Sequence, residues 1–287
     1  LHAANFWYHN GAKRMIMARE MNKKQLKYIM ENKPEGMEIE IFIHGAICFA
    51  FSGRCFLSDF MSCRSANLGD CAQSCRWSYN LYAEEKNNPG ELMPIETSEY
   101  GTSIFSSKDL CLIKEIPEII DMGVDSLKIE GRLKTEYYLA SVIGAYRNAI
   151  DDYQKDPEHY DYTKYLKELE KVKTRGLTSF YFNGRNNKDI QEYGGRQYNE
   201  KYEFGGKVVE YKDEKSVIEI KNKLQVGDKM EILVPNQLEP VEFTIDNLWD
   251  YETKEEIQAV SPGVKGQKVL MNLPIKCNTD WIIRRKK

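Results

Sequence analysis

Several signatures are missing from this 287-residue chain, and each absence narrows what it can be. No stretch approaches the roughly 18 consecutive apolar residues of a membrane span. No charged-then-apolar leader opens it, which argues against an oxidising compartment and for thiols rather than disulfides. There is no surplus of positive charge either: 41 Lys and Arg stand against 44 Asp and Glu, for a net charge of -3. No global basic field therefore advertises nucleic acid, and any such contact must use a local patch. Neither a G-x-S-x-G elbow nor an H-E-x-x-H helix occurs, so the common serine-hydrolase and zinc-peptidase motifs are out. With 41% hydrophobic and 30% charged residues, what remains is a globular chain with no membrane partner and a cytoplasmic setting.

What the chain does have is cysteine in one place. Five of its seven cysteines lie between Glu40 and Cys75, spaced Cys48-x6-Cys55-x7-Cys63-x7-Cys71-x3-Cys75, and a sixth, Cys111, follows. Clustered thiolates in a reduced chain bind zinc or an iron-sulfur cluster more often than they lie idle. Zinc sites favour two tight knuckles with two to four residues between ligands. Only Cys71 and Cys75 come that close, so a 4Fe-4S cluster fed from several directions is the first expectation and zinc the alternative. Cys48, Cys55, Cys71, Cys75 and Cys111 are the candidate ligands. Cys63 and Cys277 read as small buried hydrophobes.

Around this stretch, helix and strand patterns alternate. Leu1–Asn10 reads as helix, Ala12–Ala18 as a buried strand, Asn22–Asn32 as a helix capped by Asn22, and Met37–Ile43 as a second strand. An amphipathic helix is expected over Ser107–Met122, a strand over Val124–Ile129, and a helix over Thr135–Tyr153. Such alternation implies a parallel sheet of right-handed βαβ units, with too few strands before residue 150 to close a barrel. Residues 156–203 read as a linker or extension, their later part rich in glycine. From Phe204 the period switches to two, giving Lys207–Tyr211, Ser216–Ile220, Lys229–Val234, Glu242–Ile245 and Val269–Leu273 as strands of a small antiparallel β-barrel over 204–287. The closing Arg284-Arg285-Lys286-Lys287 reads as a solvated basic tail, with a phosphate contact as the other option.

The Cys-rich stretch also carries longer motifs. Glu40-x-Phe42-x-x-Gly45-Ala46-Ile47-Cys48, then Gly53-x-Cys55-x-Leu57-Ser58, resembles the signature of the collagenase-like peptidase family U32. The resemblance continues through Asn67–Cys71, Cys75-Arg76-Trp77, Ser107–Cys111 and Lys128–Arg132. It implies an α/β plus all-β chain: residues 1–155 as the C-terminal part of a TIM-like barrel with a Cys-rich metal-binding insertion at about 45–111, then the small β-barrel. Leu1 would fall inside the barrel's second half; with no initiator methionine, a piece of a longer protein is expected. The resemblance further implies an iron-sulfur protein for oxygen-independent hydroxylation of RNA, foremost the tRNA wobble uridine, giving 5-hydroxyuridine, with prephenate, a dicarboxylate, as oxygen-donor cosubstrate. RNA, foremost tRNA, is the implied partner, and there is room for a homologous partner subunit. The family's older label leaves a collagenase-like peptidase as the alternative, and a zinc-bearing RNA-binding adaptor is a third class.

In an α/β barrel, ligands sit at the C-terminal ends of strands. Arg19-Glu20, His44 and Glu130-Gly131-Arg132 occupy such ends. His44, Glu130 and Arg132 are the catalytic candidates, with His44 a general acid-base or a substrate-orienting group. Arg19, Glu20, Arg54, Arg76 and Lys128 are the substrate-binding candidates, the arginines being fork donors suited to carboxylate or phosphate. The bland reading of each is a hydrogen-bonded histidine or an ordinary ion pair.

Overall fold

The computed structural model describes residues 1–48, 50–84, 86–87, 89–90, 92–95, 107–184, 201–212, 215–263 and 266–287. The glycine-rich part of the expected linker, 185–200, lies outside the described residues, as do parts of the expected insertion at 49, 85, 88, 91 and 96–106. The chain divides into two compact units, Leu1–Glu130 with Thr174–Tyr198, and Gly131–Lys173 with Asn199–Lys287.

The first unit runs α1 (His2–His9), β1 (Arg14–Ile16), α2 (Lys23–Asn32), β2 (Glu38–Gly45), α3 (Leu57–Ser62), β3 (Leu81–Glu84), β4 (Leu92–Ile95), β5 (Asp109–Cys111), α4 (Ile116–Asp121), β6 (Ser126–Ile129) and β7 (Leu177–Thr178). Helix α2 starts where expected: the Asn22 side chain accepts from Gln25 N at 3.0 Å, and Gln25 Oε1 accepts from Asn22 N at 3.1 Å. This reciprocal box satisfies two amides that the helix itself cannot. Strand β2 is the centre of the sheet. Ile39, Ile41 and Ile43 are buried on it, and so are His44 and Glu40, so both of its faces are covered.

Two expectations change here. Residues 107–122 are not one helix: β5 comes first, and α4 begins only at Ile116. All of Asp109–Ile113 is buried, so the apolar run belongs to a fully covered strand rather than to one helical face. The sheet is also not purely parallel. β1 and β6 run parallel to β2, but β5 pairs with it antiparallel through His44↔Cys111 and Gly45↔Leu110. β7 then extends the sheet parallel to β5.

The second unit holds α5 (Glu136–Lys155), α6 (Thr163–Leu169), β8 (Tyr202–Lys212), β9 (Lys215–Ile220), β10 (Leu224–Gln225), β11 (Lys229–Leu233), β12 (Val241–Thr244), β13 (Leu248–Asp250), β14 (Glu256–Ile257), β15 (Ala259–Val260), β16 (Lys268–Met271) and β17 (Ile282–Lys286). Eight of these strands form a curled antiparallel half-barrel in the order β12-β11-β17-β8-β9-β16-β13-β14. Its concave side packs Val208, Ile218, Met230, Ile232, Val269, Met271 and Ile283. Burying such aliphatic side chains contributes about 1.5–3 kcal/mol each.

The basic terminus is neither tail nor phosphate contact. It is β17, seated between β11 and β8, and Arg284 has no exposed surface. Arg284 Nε donates to Glu231 Oε2 at 2.7 Å, directly across the ladder, and Nη2 donates to Glu168 Oε2 on α6 at 3.0 Å. Lys171 Nζ stands 3.1 Å from Glu168. Burial works against the Arg284 charge, yet the two carboxylates more than offset it and hold the guanidinium firmly protonated. Arg285 and Lys287 are likewise paired, with Asp228 and Glu203.

Candidate metal and substrate site

Strand β2 delivers the site. Its last residue, Gly45, has φ +121°, and a Cβ there would lie 2.4 Å from the Glu130 carbonyl. Only glycine lets the end of β2 run this close to the end of β6. Beyond it the chain leaves the sheet and reaches Cys48 after three residues.

Four of the five candidate thiols come together. Cys75 feels the charges of Cys48, Cys71 and Cys55, and Cys48 those of Cys55 and Cys71. Cys48 keeps a solvent-exposed edge, but the protein packed around it raises its thiol above the usual range, and the neighbouring sulfurs add to that. Cys75 is raised for the same first reason, opposed by the adjacent Arg76 guanidinium. Cys71 Sγ accepts from Gln73 N at 3.3 Å, and Gln73 itself has φ 56°. Cys55 N donates to the Asn67 side chain at 3.3 Å, and Ala72 N donates to the buried Ser58 hydroxyl at 2.8 Å, which ties α3 to the Cys71 turn. Among the described residues no three such donors stand in a closed metal shell. The thiols are a loose set, all sulfur, and that chemistry suits a soft ion or an iron-sulfur cluster rather than a hard oxygen-seeking cation.

Cys111 sits differently. It is buried on β5, opposite His44. His44 has no exposed surface, and its carbonyl accepts from Glu130 N at 2.9 Å. Cys63, expected in the core, is exposed at the αL end of α3, whereas Cys277 is buried as expected.

Two arginines frame the thiols. The Arg19 guanidinium lies 3.9 Å from the centroid of the Phe42 ring, close enough to Glu130, Cys48 and Glu20 to feel their charges. Burial pulls it below the usual guanidinium range, while those three anionic groups oppose the shift. Arg76 donates to the Ile47 carbonyl and, at 3.2 Å, to Gln73 Oε1. Burial lowers it as well, and Arg175 adds to the effect while Asp109 counters it. Glu20 accepts from the Ser52 amide at 2.7 Å and its hydroxyl at 3.1 Å, fixing the loop between Cys48 and Cys55. Lys128 pairs with Glu40 at 3.1 Å. Arg54 is exposed on that same loop, and Arg132 is exposed in the second unit.

Arg175 is the residue that sequence reasoning missed. It lies in what read as linker, yet its Nη2 donates to Asp109 at 3.1 Å and its Nε to the Ser107 carbonyl at 3.0 Å. The signal available was Asp109 itself, an acid inside a buried apolar run that needs a cationic partner.

Comparison with known proteins finds two family models, one for each part of the chain. The model of Peptidase family U32 matches residues 1–192, and that of the Peptidase family U32 C-terminal domain matches residues 200–284. The chain is similar to tRNA hydroxylation protein P1 of Bacillus subtilis, 38% identical over 256 residues, covering 88% of this chain and 59% of that protein. It is similar to tRNA hydroxylation protein P of Escherichia coli, 33% identical over 308 residues, covering 94% of this chain and 66% of that one. It is also similar to a collagenase of Porphyromonas gingivalis, 32% identical over 289 residues, covering 94% of this chain and 65% of that protein. The chain thus spans 59% to 66% of the length of these relatives. With both family models matched along most of its length, this chain belongs to Peptidase family U32.

Proposed function

We propose that this chain is part of an RNA-modifying hydroxylase acting without molecular oxygen, with the tRNA wobble uridine as substrate and 5-hydroxyuridine as product. The observation that carries this reading is the gathering of Cys48, Cys55, Cys71 and Cys75 between Arg19 and Arg76, in a chain similar to two proteins named for tRNA hydroxylation. The resident group in this proposal is a 4Fe-4S cluster held by Cys48, Cys55, Cys111 and one or both of Cys71 and Cys75. Such a cluster supplies electron transfer or Lewis acidity at a substrate oxygen.

The chain's own residues do the rest. Arg19 and Arg76 receive the carboxylates of a dicarboxylate oxygen donor such as prephenate, since partly desolvated guanidiniums gain most from an anion. Phe42 limits Arg19 to one orientation, and Asp109 with Arg175 holds the electrostatic balance around Arg76. Glu130 sits within reach of Arg19 and positions substrate. We further propose that the mixed sheet is a section of a TIM-like barrel, with the Cys-rich stretch inserted after β2, and that the protein works in the cytoplasm.

The peptidase alternative needs a reachable nucleophile and base. His44, the base that this reading would pair with Ser52, Ser58 or Cys55, has no exposed surface, which weighs against it. The test is anaerobic purification of the full-length protein followed by iron, sulfide and zinc determination, with tRNA nucleoside analysis of a deletion strain. About four irons and four sulfides per chain, and loss of 5-hydroxyuridine from the deletion strain, are expected. One zinc without sulfide would sink the redox reading and promote the adaptor; no metal, together with peptide cleavage, would promote the peptidase.

A further inference from the structure

In the second unit, α5 and the β11–β12 turn enclose a cavity of about 250 Å³ that the proposed chemistry does not use. Its helical wall is opened by small residues, Ala140, Ser141, Gly144 and Ala145, and a Cβ built on Gly144 meets nothing within 4 Å. Opposite lies Trp281, half-buried against the half-barrel core. Ser141 lines the cavity from α5, with its hydroxyl buried out of reach of solvent.

The charged groups on the rim define what the ligand is not. Arg147 is paired with Asp151, Glu168 with Arg284, and Asp280 with Lys207 at 3.2 Å. Each charge already has its counterion, so neither a phosphate nor a carboxylate has a free partner here. The uncharged polar groups that remain, the Asn236 and Gln237 amides, offer both donors and acceptors. The volume falls just under the ~300–1,000 Å³ of drug-sized sites, which suits one ring system rather than two. From a neutral, planar, edge-polar ligand that stacks on an indole, we infer that this cavity takes a single unstacked nucleobase of the RNA, presented while another nucleotide is modified elsewhere. This inference rests on the RNA reading above.

Gly144→Leu is the decisive variant, since its side chain enters the cavity while leucine suits a helix interior better than glycine. The probe is a short single-stranded oligoribonucleotide carrying 4-thiouridine, photo-cross-linked to the full-length protein and mapped by mass spectrometry. Cross-links at Trp281 or within 140–145 and 234–238 are expected, reduced about tenfold by Gly144→Leu, the size of one base–aromatic stack. Gln237→Ala, which removes an exposed rim amide without filling space, should weaken the same cross-link with an unchanged melting curve. Cross-links confined to other regions, or unaffected by Gly144→Leu, overturn the pocket while leaving the RNA reading intact. If the wild type binds no oligoribonucleotide and the deletion strain keeps its 5-hydroxyuridine, the RNA reading itself has failed. The pocket is then judged by titrating free uridine, cytidine, adenosine and guanosine against the Trp281 indole N–H signal, and no shift with any of them overturns it.

Discussion

Gly45 and Arg284 are the two residues whose neighbours leave them least choice. At Gly45, any side chain must push into the Glu130 carbonyl and must also accept φ +121°. Gly45→Ala is expected to cost about 2 kcal/mol or more in a urea melt, and to displace Glu130 from Arg19. Arg284→Met leaves the buried Glu168 and Glu231 with Lys171 as their remaining shared cation, and a loss of about 3 kcal/mol is expected by chemical denaturation. Beside them, burial pushes the Tyr137 hydroxyl up to about 12. Its folded value lies above the unfolded one, so its contribution is fully present below about pH 10 and fades as pH rises towards 12. A stability profile that stays flat through pH 10–12, or a tyrosine titration with no late component, would count against that burial.

At the scale of elements, what the sequence made legible was whatever has a local cause. Asn22 and Gln25 announce the start of α2 through their own reciprocal bonds, and Asn22→Ala should cost about 1 kcal/mol in thermal stability. The period-two strands from Lys207 onward and the helix after Thr135 are likewise visible because one face of each is buried. β5 was illegible for the complementary reason: with every residue from Asp109 to Ile113 covered, no periodicity separates strand from helix. The thiol set was read as five candidates because spacing carries no depth. Folding buries Cys111 on β5 and leaves Cys48, just beyond the end of β2, exposed. Arg175 was invisible because its partner Asp109 is 66 residues away in sequence. A terminal run of four cations reads as solvated unless Glu168 and Glu231 are known to lie beside it.

For the molecule as a whole, the boundary of the second unit matters. The C-terminal family model begins at residue 200, but the compact unit also takes Gly131–Lys173, which carries Glu168, Lys171 and Tyr137. A fragment starting at residue 200 keeps Arg284 and loses these partners. It is therefore expected to melt well below a fragment that spans 131–287, and equal melting temperatures would show that the α5–α6 segment contributes nothing to the sheet.

The position of β17 also sets a timetable. In the strand order, β12-β11 on one side and β8-β9-β16-β13-β14 on the other are joined, among the described residues, only by this strand, which follows all of them in the chain. A ribosome therefore releases seven strands of the half-barrel before the one that unites them, and until then the edges of β11 and β8 stand open to any passing strand. Nascent chains stalled before Ile282 should accordingly lean on holdase chaperones, and those stalled well past Lys286 should not.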